Sequence, residues 1–124
     1  MEIKLPHDHG MHTAELLQEI DIRPDDATFE KAADTFSLLA DSSRLRIFTL
    51  LCHTEECVVN IAAAVGMSSP AVSHHLRILK SAGLIESRKD GKEVHYKLAD
   101  DAEAKLLHAA VDSVLHIKCP EDKI

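Results

Sequence analysis

Residues 60–98 read NIAAAVGMSSPAVSHHLRILKSAGLIESRKDGKEVHYKL, and no other stretch constrains the fold as tightly. Ile61, Ala62 and Val65 follow a helical apolar pattern, and Gly66 sits where the chain must turn. A second helix is predicted from Ser69 as N-cap, with Pro70 in the first turn, where a missing N–H costs nothing. Val72, Leu76, Leu79 and Gly83 follow at steps of 4, 3 and 4 residues, which places them on one face. The other face carries Ser73, His74, Arg77 and Lys80, with no acid among them.

Next comes a strand pattern, in which Val94, Tyr96 and Leu98 alternate with Glu93, His95 and Lys97. Asp90-Gly91 is a dipeptide favoured in two-residue hairpins, and it gathers Arg88, Lys89 and Lys92 at the tip. Helix, tight turn, amphipathic basic helix and basic hairpin together describe a winged helix-turn-helix. A helix with one apolar and one cationic, hydrogen-bonding face suits a DNA major groove, and the hairpin cations suit the phosphates beside it.

Charge along the chain agrees. The whole chain is at −7, with 14 Lys+Arg against 21 Asp+Glu. Residues 1–67 hold 5 cations against 12 acids, residues 68–98 hold 6 against 3, and residues 99–124 hold 3 against 6. Only the segment expected to read DNA is positive, so acidic flanks would orient the molecule and weaken non-specific binding.

The remaining segments form a mostly α frame. Residues 1–26 are expected to be a polar arm and a short helix from Thr13 to Ile20 that ends before Arg23-Pro24; residues 27–124 are expected to be the DNA-binding and dimerisation domain. A helix over residues 27–40 has Phe29, Ala32, Ala33, Phe36 and Leu39 on one face. Asp41 or Ser42 caps a central helix carrying Leu45, Ile47, Phe48, Leu50 and Leu51. A final helix over residues 100–117 has a wide apolar face of Leu106, Leu107, Ala110, Val111, Val114 and Leu115, which suggests a second copy as partner. Three Phe, one Tyr and no Trp mean an aliphatic core.

A chain of 124 residues has room for one domain. No apolar run is long enough to span a bilayer, and the N-terminus lacks a secretory pattern. Three cysteines fit a reducing cytoplasm better than a disulfide scaffold. Neither a nucleophile elbow nor a phosphate-cradling glycine loop is present, so the chain does not read as an enzyme and no small organic substrate is expected.

LADSSRLRIFTLL, ECVVNIAAAVGMSSPAVSHHLRILKSAGLI and RKDGKEVHYKL occur in an order that closely resembles the ArsR/SmtB family of metal-responsive winged-helix repressors. The resemblance covers about residues 29–117. It implies a homodimer, paired through terminal helices, that binds an operator inverted repeat in double-stranded DNA and lets go when an effector binds. It places Ser68, Ser69, Ser73, His74, His75 and Arg77 on the recognition helix, and Arg88, Lys89 and Lys92 on the wing.

For the effector, the resemblance points to a divalent metal ion. Where many relatives have Cys-Val-Cys-Asp or Cys-Val-Gly-Asp, this chain has Cys57-Val58-Val59-Asn60, which keeps one thiolate. In relatives with a single such cysteine, the N-terminal arm supplies other ligands; here it offers His7, Asp8, His9 and His12, a mixed set suited to zinc, with cadmium, cobalt, nickel and lead open. A second family site lies on the final helix across the dimer; its positions fall on Asp100, Ala102, Ser113 and His116, of which Asp100 and His116 can ligate. His108, Asp112 and His116 recur every four residues and offer replacements, or else form a solvated stripe; His53 is near enough in sequence to join Cys57. The alternative effector is an oxidant or reactive sulfur species sensed through Cys52, Cys57 and Cys119.

Overall fold

A computed structural model describes residues 4–20 and 25–119. Helices α1 (Thr13–Glu19), α2 (Asp26–Leu38) and α3 (Ser42–His53) are followed by strand β1 (Glu56–Cys57). Then come α4 (Val58–Val65), α5 (Ser69–Ser81), β2 (Ile85–Asp90), β3 (Glu93–Leu98) and α6 (Ala102–Leu115). The chain divides into two compact units, residues 1–34 and residues 35–124. The Arg23-Pro24 boundary expected after the first helix lies outside the described residues.

The first unit holds α1 and the start of α2, and neither helix buries a residue. Phe29, expected on a packed face, is exposed.

The second unit is built around α3. Asp41 caps it, its side chain accepting from the Arg44 N–H at 2.9 Å, and Ile47, Phe48 and Leu51 are buried on its inner face. They meet Ile61 and Val65 of α4, Val72, Leu76 and Leu79 of α5, Leu84 and Ile85 entering β2, and Leu107 and Val111 of α6 in one cluster. Phe48 is fully buried there, and its truncation to alanine would cost about 3–5 kcal/mol.

The sheet has three antiparallel strands in the order β1-β3-β2, one more than the expected hairpin. The register pairs Ile85 with Leu98 and Asp90 with Glu93, while Glu56 and Cys57 pair with Tyr96 and His95. Two sequence expectations shift by one residue. The cap of α5 is Ser68, whose Oγ accepts from the Ala71 N–H at 3.3 Å, and Ser69 is the first helical residue. The hairpin turn is Gly91-Lys92, because Asp90 is still paired; Gly91 takes φ 64 and Lys92 does not go positive, the pattern with glycine first. Gly83, expected on the apolar face of α5, instead follows the helix at φ 78 and redirects the chain into β2.

Candidate nucleic-acid interface and metal ligands

Gly66 takes φ 69 at the end of α4, a left-handed conformation open to glycine at little cost, and this sets the turn into α5. At about 100° per residue, the outermost positions of α5 opposite its buried Val72, Leu76 and Leu79 are Pro70, His74, Arg77 and Ser81. Ser69, Ser73 and Lys80 form one shoulder of that face. His74, Arg77, Lys80 and Ser69 are exposed, and Ser73 is half-buried. Ser68 spends its hydroxyl on the cap.

His75 lies on the other shoulder and faces α3. Its Nδ1 accepts from Arg44 Nε at 3.3 Å, while Arg44 Nη1 donates to the Leu38 carbonyl at 3.2 Å. Burial holds the His75 pKa below the ordinary histidine value, with the Arg44 charge adding to the effect. Arg44 therefore links α5 to α3 and the end of α2, a role that sequence reasoning did not single out. Its signal in the sequence was weak, since α3 carries a second cation, Arg46, two residues on.

On the wing, Lys89 and Lys92 are exposed and have no ion-pair partner among the described residues. Arg88 pairs with Glu55 and lies 3.9 Å from Asp90, so its charge is partly answered within the chain. Ion pairing this exposed contributes about 0–1 kcal/mol, leaving Arg88 able to exchange partners. His95 is half-buried, with its Nε2 3.5 Å from Glu93 and 3.9 Å from Asp90.

The sequence-predicted metal ligands fall in both units of the chain. His7 and His9 lie with ring centroids 5.8 Å apart. His12 precedes α1 at φ 54, its Nδ1 4.0 Å from Glu15. These belong to the first unit, whereas Cys57 belongs to the second, where it is buried at the start of α4. Asp100 is held by Lys105 at 2.8 Å, and that hydrogen bond draws its pKa down. His116 caps the far end of α6. A helix of 14 residues puts about 21 Å between those two ends, so no single ion joins Asp100 and His116 within one protomer.

A different group converges. Asp112 is buried, not part of a solvated stripe as one reading of its spacing had it. Its Oδ1 lies 2.9 Å from His53 Nε2 and its Oδ2 lies 2.8 Å from His108 Nε2. Ligand atoms of His53, His108 and Cys119 all lie within 4.8 Å of one another, a clustering that the arm histidines do not reach among the described residues. Beside them, burial pushes the Cys52 thiol up to about 12, with the charges of Asp112 and Cys119 adding to the rise.

A family model described as "Bacterial regulatory protein, arsR family" matches residues 41–87, from the cap of α3 into β2. The Mycobacterium tuberculosis regulator NmtR is 38% identical over 87 residues, covering 70% of this chain and 72% of its own length. The chain belongs to the ArsR family. Another relative, the transcriptional repressor SmtB homolog of Synechocystis, is 45% identical over 83 residues, 67% of this chain and 63% of that protein, so the match spans less than two-thirds of its length. Among solved structures, the homodimeric winged helix-turn-helix DNA-binding domain of a possible ArsR-family regulator from Mycobacterium bovis is 34% identical. It superposes with a TM-score of 0.64, covering 75% of this chain and 88% of that one. The ArsR-family fold expected from the sequence, mostly helical with a winged helix-turn-helix, is thus the observed one.

Proposed function

We propose that this chain is a dimeric transcriptional repressor that binds an operator inverted repeat and releases it when a divalent metal ion, zinc or a similar cation, binds. The observation that carries the reading is the two-faced α5. Its apolar face is fully buried, while His74, Arg77 and Lys80 are exposed beside a wing presenting Lys89 and Lys92. Arg77, His74 and Ser73 read base edges, with Ser69 and Lys80 alongside; Lys89, Lys92 and an exchanging Arg88 hold phosphates. The protein works in the cytoplasm, where duplex DNA and reduced thiols coexist.

Dimerisation is supported by an apolar hollow of about 280 Å³ between α6 and the α2–α3 corner, lined by Phe36, Leu39, Leu45, Leu107, Val111 and Val114. Leu106 and Val114 are 70% and 75% exposed, a cost that a second copy would relieve. The named relatives include a transcriptional repressor, which supports repression over activation. For the metal, the family resemblance offers Cys57 with His7, His9 and His12, and Asp100 with His116 across the dimer.

The test is operator selection from a random duplex library followed by binding isotherms at several salt concentrations, with and without zinc. A dimer-sized complex whose affinity falls steeply with salt and drops about 5–150-fold on adding zinc is the expected result. Failure of the metal-free protein to bind any duplex at low salt overturns the reading.

A further inference from the structure

Four side chains with metal-binding chemistry meet away from the DNA-facing surface, and each arrives for a separate structural reason. His53 is the last residue of α3. His108 and Asp112 are one helical turn apart on α6, where i and i+4 side chains share a face. Cys119 comes from the tail. Helix α6 closes at His116 in the left-handed conformation, with the Ile117 N–H bonded to the Asp112 carbonyl and the His116 N–H to Ser113. This Schellman closure folds the chain back and leaves Cys119 only 7% exposed.

We propose that His53, His108 and Cys119 bind a divalent cation of the zinc class within a single protomer, with Asp112 orienting the His53 imidazole. The site deepens the metal-responsive reading above by naming a ligand set, and rests on that reading only for its effect on DNA.

Two imidazoles and a thiolate form a borderline donor set that suits zinc or cobalt(II) and is poor for magnesium or calcium. Metal–ligand bonds of about 2.0–2.3 Å in a tetrahedron leave ligand atoms about 3.3–3.8 Å apart, so a cluster already within 4.8 Å needs only small side-chain rotations. A carboxylate against the far ring nitrogen is the usual support of a metal-bound histidine, and Asp112 gives it to His53 at 2.9 Å.

His108 Nε2 adds an independent sign. It is buried and, although 2.8 Å from Asp112 Oδ2, is not aligned with it as a hydrogen bond. A buried polar atom in that position is costly unless something satisfies it. The rings of His53 and His108 meet edge to face with centroids 4.9 Å apart, so neither is packed flat against apolar side chains on that side. A hollow of about 390 Å³ lined by His108, Asp112 and Cys119 gives an entry path. Lys105 also lines it, but its ammonium is taken by Asp100 at 2.8 Å.

Occupancy would tie α6 to the end of α3. Helix α3 packs on both α4 and α5, and α6 carries the exposed apolar face. An ion here would therefore fix the angle between the dimer-forming helix and the recognition helix of the same protomer. Such an angle sets whether two recognition helices match successive major grooves.

The test is cobalt(II) titration of the reduced full-length protein, read by the thiolate-to-cobalt charge-transfer band, with affinity from chelator competition. Circular dichroism and metal-free operator binding check that each variant is folded. The band should vanish in Cys119→Ser and persist in Cys57→Ser. His53→Gln, on a side chain at the surface end of α3, should weaken binding about 100-fold or more, and Asp112→Asn about 10–100-fold. A band unchanged in Cys119→Ser overturns the site. If that band is lost in Cys57→Ser instead, the site falls while metal sensing stands. Cobalt bound through Cys119 with operator affinity unchanged upholds the site and overturns sensing. No cobalt binding at all overturns both.

Discussion

Arg44 ties three elements together with one side chain, meeting the Leu38 carbonyl and His75 while its own N–H is capped by Asp41. Because His75 Nδ1 accepts from a guanidinium, the neutral ring is the compatible form. Its folded pKa lies below the unfolded value near 6.5. Its contribution to stability is therefore complete above about pH 6.5 and is lost as pH falls through the folded pKa. Proton NMR titration should give His75 a midpoint below the ordinary one. In Arg44→Met that midpoint should rise part of the way, because burial, the larger cause, remains. At the DNA surface, Arg77→Ala should relax preference at one operator position at a cost of about 1–3 kcal/mol. Lys89→Ala and Lys92→Ala should instead weaken all duplexes alike and lower the salt slope by about one each, as anisotropy titrations would show.

Helices α4 and α6 end where the backbone turns left-handed. His116 at φ 57 closes α6 in a conformation that costs a non-glycine residue about 1–2 kcal/mol. His116→Gly should raise the unfolding free energy by about 1 kcal/mol in urea titration while leaving any ion at His53, His108 and Cys119 in place. Gly66→Ala is the converse. No atom lies within 4 Å of the added Cβ, so the loss of about 1 kcal/mol would come from φ 69 alone. The sequence marked the end of α4 at Gly66, whereas it ran the final helix on to residue 117, past its close at His116. The wing was legible from its alternation, but β1 was not. Glu56 and Cys57 make a two-residue strand too short for any periodicity, and they pair only because β3 presents an edge to them.

At the scale of the whole molecule, the proposed dimer rests on the exposed apolar face of α6. Val114→Glu, at a position 75% exposed in the monomer, should be tolerated by the fold. It should nonetheless shift sedimentation from dimer to monomer and remove high-affinity operator binding, since one recognition helix reaches one half-site. A variant that stays dimeric would move the interface off α6. The charge pattern belongs to the same scale, because the segments on either side of residues 68–98 carry an excess of acid that would repel a duplex.

The chain's own order of residues determined the helix-turn-helix, the cationic face of α5 and the wing, because each depends on spacing within a few turns: apolar steps of three and four, a proline in a first turn, a glycine in a hairpin. It did not determine the partners of Arg44 or the meeting of His53, His108, Asp112 and Cys119. His53 and Asp112 are 59 residues apart, and nothing local in either segment signals the other. The stripe of His108, Asp112 and His116 read from spacing held for its first two members, and the third was diverted when the helix closed at His116. Local periodicity is written by the helix and strand repeats, whereas a cluster of donors forms only when packing against α3 has fixed where α6 and its tail can lie.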